Sequence, residues 1–493
     1  MRPTYVLSRW LFLRLLGGVY LIAFGSLAIQ VRGLVGDHGI LPVGEYLARV
    51  RETYGDGAWR LLPTLLWLDS SDRALVMLAG AGMLLSALLL LDILPLLVLP
   101  LLWLAYLSLT VGGQDFLSFQ WDGLLLETGL LACLWAPAGC FPSLRLEERQ
   151  PSGLVRWLLW LLLFKLLLLS GGTKLLSGDP TWRNLTALDF HFETQPLPPW
   201  TAWYAHHLSE RLHQLATVLT FFAELVVPFT IIVPTRFRLL RLVGAMILVG
   251  FQVAIAATGN YGFFNLLTVV LCVPLLDDRA LSRIVWIRLT APQFESAFRR
   301  SLVRVAGGVL AGLSALTFVR ELVQTLPGGA GADLMPGWSE DLVGAFAPFR
   351  SVNGYGLFRV MTTERPELVV EGSSDRVRWK PYEFKWKPGD PLRRPALVAP
   401  YHPRLDWQMW FAALDPQGNR ALLEGLLGRL LEGTPEVLGL MGSNPFPQAP
   451  PKYLRIAYFR YFFSSPEARA ANGAWWAREP RGNLTEPVSL PER

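Results

Sequence analysis

Cysteine is scarce in this chain, with 3 in 493 residues. That is too few for a disulfide-stapled secreted scaffold. Charge is scarce as well, at 17%, against roughly 25% in an ordinary soluble domain. With 52% hydrophobic residues and a mean hydropathy of +0.35, the chain is neither disordered nor collagen-like. Only 6 of the 45 basic residues are lysine, which reads as the codon bias of a GC-rich, bacterial genome. The six histidines offer no metal-ligand spacing: His206 and His207 are adjacent, and His213 stands apart. No Ser-His-Asp arrangement stands out, and Gly-rich 327–331 lacks the Lys-Ser/Thr of a phosphate-binding loop. No metal and no cofactor are expected. Nucleic acid is not expected either, because the net charge of +6 has another explanation, given next.

The abundant feature is apolar sequence. Nine stretches approach or reach the ~20 residues that cross a bilayer: 11–31, 74–91, 93–111, 121–138, 154–170, 212–233, 239–258, 261–275 and 302–319. The first exceeds a signal-peptide core and ends without a small-residue cleavage site, so it is expected to be retained. Arginine tests the count. With the N-terminus cytoplasmic, the inner loops 139–153, 234–238 and 277–301 carry Arg145, Arg149, Arg236, Arg238, Arg279, Arg283, Arg288, Arg299 and Arg300. Nine spans obey the positive-inside rule, and an even number breaks it. Cys133, Cys140 and Cys272 then lie near the inner, reducing face, which argues against a thiol–disulfide mechanism.

Composition changes after Arg320, where a Gly/Pro-rich stretch at 327–337 precedes short β-like runs at 355–361, 367–371 and 377–386. Helical segments follow at 407–414 and 420–431, then apolar runs at 436–441 and 453–463. The expected fold is a polytopic α-helical membrane protein of about nine transmembrane helices (1–320), a linker (321–337) and an extracytoplasmic, soluble mixed α/β domain containing a β-sheet (338–493).

Ionisable groups within apolar spans cost ~2.5–3.5 kcal/mol each on insertion scales and ordinarily have partners. Asp122, Glu127, Lys165, Lys174 and Glu224 cluster on the fourth to sixth spans, with Gln252, Asn260, Tyr261 and Asn265 on the seventh and eighth. They read either as structural ion pairs or as a polar cavity toward the outer leaflet. Lys174 follows Gly171-Gly172, where a ligand can approach closely. It serves either as a base of lowered pKa or as a snorkelling cation paired with a carboxylate such as Asp122. Trp182, Trp200 and Trp203 suit an interfacial aromatic belt or a loop capping a cavity or client. In the outer domain, Arg404, Asp406, Trp407 and Trp410 form either that domain's core or a partner-binding surface.

Several strings carry a resemblance: FQWDGLLLETG (119–129), Lys174-Leu175 with Trp182 and LTAL (185–188), NYGFFN (260–265), VNGYGLF (352–358), YEFKWKPG (382–389), RLDWQMW (404–410) and NPF (444–446). In this order, over nearly the whole length, they resemble the lipase maturation factor family of polytopic membrane proteins. The resemblance implies a folding factor, resident in the endoplasmic reticulum in eukaryotes, that assists secreted lipases and contacts them through its C-terminal domain. In a bacterial inner membrane the client would be a secreted lipase or another hydrolase. Trp121, Trp182, Asn260, Tyr261, Asn265, Arg404, Asp406, Trp407 and Trp410 are the candidate contact residues. A shorter likeness, GGTKL (171–175) followed by Trp182, is similar to the segment of vitamin K-dependent γ-carboxylase that holds its catalytic lysine. It implies an alternative, a membrane-embedded enzyme with Lys174 as base and Asp122, Glu127 or Glu224 as partners.

Overall fold

The computed structural model describes residues 3–137, 145–146, 150–283, 288–289, 297–326 and 335–491. Cys140, Arg149 and positions 327–334 of the Gly/Pro-rich stretch lie outside these residues. Among the described residues the helices that correspond to the expected spans are α1 (Val6–Ala28), α2 (Asp72–Leu90), α3 (Pro95–Gly112), α4 (Gln120–Trp135), α5 (Gly153–Leu176), α6 (Glu210–Phe221), α7 (Arg238–Thr258), α8 (Phe264–Cys272) and α9 (Ala297–Thr325), with shorter helices in the loops between them. Among the described residues seven segments are long and apolar enough to cross a membrane, α6 counting as Glu210–Thr230 with the turns that follow it. Two of the nine expected spans are short. The fourth is the 16-residue α4, about 24 Å long at 1.5 Å per residue. The eighth is α8 with its final turn, Phe264–Leu275.

Local chemistry sets several boundaries. Ser71 accepts from the Ala74 N–H and starts α2. Pro95 opens α3, where its missing N–H costs nothing. At one end of the bundle the Asp278 carboxylate accepts from the Val6 and Leu7 N–H groups (3.1 and 2.9 Å), tying the start of α1 to the segment after α8. Backbone pairing of Arg145–Leu146 with Arg288–Leu289 joins two of the loops expected on the inner side.

The C-terminal half holds a four-stranded antiparallel sheet of order β2-β1-β3-β4, with β1 Arg365–Ser373, β2 Lys380–Pro381, β3 Tyr453–Phe463 and β4 Trp476–Asn483. The β1–β3 register runs from Arg365↔Tyr461 to Ser373↔Tyr453. Helices α10 (Arg404–Leu414) and α11 (Arg420–Glu432) complete it. The β-like run at 355–361 is a loop instead. Its polar groups bond the bundle rather than a neighbouring strand, Gly356 N–H to Gln120 and Met361 N–H to Asp179. The run at 377–386 is broken because Asp375 captures the Val377 and Arg378 N–H groups. One continuous apolar core runs through both halves, from Tyr5 and Leu16 through Leu124 and Leu163 to Leu368, Trp407 and Ile456.

Candidate functional site

The buried polar groups gather where the bundle meets the C-terminal half. In the first turn of α4, Asp122 receives two parallel hydrogen bonds from the Arg404 guanidinium, at 2.6 and 2.8 Å. Both side chains are 0% exposed. Tyr106 of α3 donates to the same carboxylate, and Arg404 also reaches the Phe116 carbonyl (3.1 Å). The Arg404 N–H bonds Gln30, whose amide donates to the His402 carbonyl (3.0 Å). The planar fork of Arg is suited to this two-point grip on a carboxylate.

One turn and a half along α4, Glu127 is shared between α5 and the loop before β1. Lys165 approaches one oxygen at 2.6 Å. The other accepts from the Tyr355 hydroxyl (2.7 Å) and the Asn353 N–H (3.0 Å). Gly123 makes room for this loop, since a Cβ there would stand 3.2 Å from the Asn353 side chain.

The third pair lies within the bundle. Lys174, in the last turn of α5, donates to both Glu224 oxygens (2.8 and 2.7 Å) and to the Ser170 carbonyl (3.2 Å). Those three bonds use all three donors of an ammonium group. Glu224 sits in a single π-turn, Phe222–Val226, that interrupts the helix continuing α6. The turn lies so close to α5 that a Cβ on Gly171 would come within 2.9 Å of Glu224 Cβ. The expected pairing of Lys174 with Asp122 is therefore corrected: Asp122 faces the C-terminal half and is taken by Arg404, while the π-turn delivers Glu224 to Lys174. The expected polar cluster resolves into separate pairs.

All nine candidate contact residues are buried. Trp121 and Trp407 meet edge to face at 4.8 Å, with His402 against both rings. Trp182 donates to the Phe358 carbonyl (2.9 Å) and its ring lies 5.3 Å from the Lys174 ammonium. Trp410 donates to the Thr194 carbonyl (2.8 Å). Asp406 accepts from the Trp386 and Lys387 N–H groups (2.7 and 2.9 Å), which oppose the upward push of burial on its carboxyl. Asn265 bonds Gln252 (2.8 Å), joining α8 to α7. Asn260 is a four-point clamp, donating to the Leu197 and Ala396 carbonyls and accepting from the Val398 and Ala399 N–H groups. The Tyr261 hydroxyl contacts His191 and Gln195, both at 3.0 Å. His191 is edge-on to Phe358; burial first, and the nearby Lys174 charge second, push its imidazole down to about 4.

Sequence reasoning missed Gln30, Tyr106, Asn353, Tyr355 and a buried triad in which Glu367 bridges Arg365 and Lys387, each at 2.7 Å. Arg365 also donates to the Glu193, Gln195 and Pro196 carbonyls, capping the segment between α5 and α6. A signal existed for that triad: Arg365 and Glu367 stand two apart, on one face of a strand. Among the described residues no group of three or more His, Cys, Asp and Glu side chains is arranged to hold a metal ion.

Residues 7–283 match the lipase maturation factor transmembrane domain family, and residues 351–486 match the lipase maturation factor C-terminal domain family. The chain is similar to lipase maturation factor 2 of Mus musculus (36% identical, covering 97% of this chain and 83% of the relative) and of Homo sapiens (36%, 98% and 83%). It is similar to lipase maturation factor 1 of Mus musculus at 34% identity, covering 99% of this chain and 88% of the relative. These relatives are animal proteins, so the bacterial source expected from lysine scarcity finds no support among them. No solved structure matches.

Proposed function

The chain belongs to the lipase maturation factor family, and from that membership we propose that it is a non-enzymatic, membrane-anchored maturation factor. In this reading the N-terminus is cytoplasmic. The bundle (1–320) carries residues 338–493 on the extracytoplasmic side, where their exposed surface and the outer loops receive a secreted lipase or another hydrolase as it folds. The observation that carries the reading is the occupancy of the bundle's ionisable groups. Asp122 and Glu127 fasten the C-terminal half through Arg404, Tyr355 and Asn353. The Lys174 ammonium has all three donors engaged, which suits a structural cation rather than a base. The orientation rests on the arginine distribution and on the meeting of the expected inner loops at one end of the bundle.

One feature favours the alternative of a membrane-embedded enzyme at Lys174: Glu224 lies in a π-turn, a distortion frequent at functional sites. A double substitution separates the two. Replacing a buried ion pair with apolar side chains of similar volume is often neutral for stability. The Lys174→Met/Glu224→Met protein is therefore expected to support secretion of active lipase in co-expressing cells at least half as well as the parent. Loss of lipase activity with normal levels and normal melting of the variant would reverse the assignment in favour of the enzyme.

A further inference from the structure

Beside the Asn260 clamp is a cleft of about 220 Å³, far above the roughly 10–15 Å³ that seats one water. Its walls are Pro198 of the segment between α5 and α6, the Lys385–Gly389 and Arg393–Ala396 stretches, and Trp476. The lining contains four cationic side chains, Lys385, Lys387, Arg393 and Arg394, and no acid. Lys387 and Arg393 are answered from behind by Glu367 and Glu383. Lys385 and Arg394, both exposed, have no carboxylate partner among the described residues; the Lys385 ammonium donates to the Gly439 carbonyl, which leaves its remaining donors and its full charge for a ligand. The Arg394 guanidinium lies over the Trp200 ring at 4.5 Å.

Position supplies the second observation. Segment 391–400 is held at the end of α7: Asn260 bonds its backbone at three points, the Trp200 N–H donates to the Pro395 carbonyl, and Thr201 donates to the Ala257 carbonyl in the last turn of α7. The end of a membrane-spanning helix lies at headgroup level. On the same segment Leu392 and Leu397 are 59% and 54% exposed, apolar groups flanking Arg394. Cations at headgroup depth, with leucines and a tryptophan beside them, match the two-part chemistry of a phospholipid, an anionic head above acyl chains.

We propose that this cleft binds the phosphate of an anionic phospholipid in the leaflet facing the C-terminal half, with Lys385 and Arg394 contacting the phosphate and Leu392 and Leu397 meeting the chains. The test uses the full-length protein in phosphatidylcholine nanodiscs containing a photoreactive phosphatidylglycerol, with crosslinked peptides mapped by mass spectrometry. The expected result is label on residues 385–397. It falls at least fivefold in Lys385→Gln/Arg394→Gln, and persists in the charge-conserving Lys385→Arg/Arg394→Lys and in the remote control Arg378→Gln. Absence of label from 385–397, or label indifferent to the double Gln variant, overturns the proposal. So does displacement of the label by an acidic peptide at concentrations that leave other lipid contacts intact, which would make the cleft a protein-binding site.

Discussion

Asp122 and Arg404 are opposite charges held in a fully buried place, so each depends on the other far more than a surface pair does. Asp122→Asn leaves the guanidinium without its counter-charge and is expected to lower stability by ~3–5 kcal/mol, whereas Asp122→Leu/Arg404→Met restores most of it. Thermal melting of the purified protein in detergent checks both. A second expectation concerns pH. The His191 imidazole titrates at about 4 in the folded protein and near 6.5 when unfolded. The unfolded chain therefore takes up the proton first, and stability falls as pH drops from 6.5 toward 4, by on the order of 3 kcal/mol, then levels off. Burial lowers His206 to about 4 as well, so His191→Gln reduces this slope without abolishing it. The melting temperature measured at pH 7, 5.5 and 4.5 for both proteins is the check. The acids of the apolar spans were legible in the sequence because each is an interruption in a hydrophobic run. Their partners were not, because Arg404 lies 282 residues beyond Asp122 and nothing local to either announces the other.

Helix α5 and the π-turn after α6 fit only because Gly171 lacks a side chain. Gly171→Ala puts a methyl within 2.8 Å of Leu225 and 2.9 Å of Glu224 Cβ, so the turn must retreat. A loss of 1–3 kcal/mol is expected, typical of an overpacked interior, and the Glu224→Gln background, its ion pair already weakened, should suffer less from the retreat. A double-mutant cycle on the melting curves measures the difference. The long spans were legible from their apolar runs, as were strand β1 from its β-like run at 367–371 and helix α11 from its helical pattern. The loop at 355–361 was not: Tyr355, Leu357, Phe358 and Val360 look like a strand, yet Tyr355 is used to reach Glu127. The π-turn was invisible too, since its five residues, Phe222 to Val226, read as ordinary helix.

The two halves share one apolar core and are fastened by polar contacts at Gln30, Asp122, Glu127, Asp179 and Asn260. Asp122→Asn/Glu127→Gln is expected to loosen the junction. Residues 338–493 should then be digested by trypsin at least tenfold faster while the spans stay protected, as gel electrophoresis over a time course would record. The separation of the interlocking residues also has a consequence for how the protein is made. At 5–20 residues per second, the ribosome adds the 282 positions between Asp122 and Arg404 in about 15–60 s. For that interval α4 is already available to the membrane while the guanidinium that seats its carboxylate does not yet exist. The order of synthesis thus leaves the bundle to wait, unlatched, for the last third of its own chain.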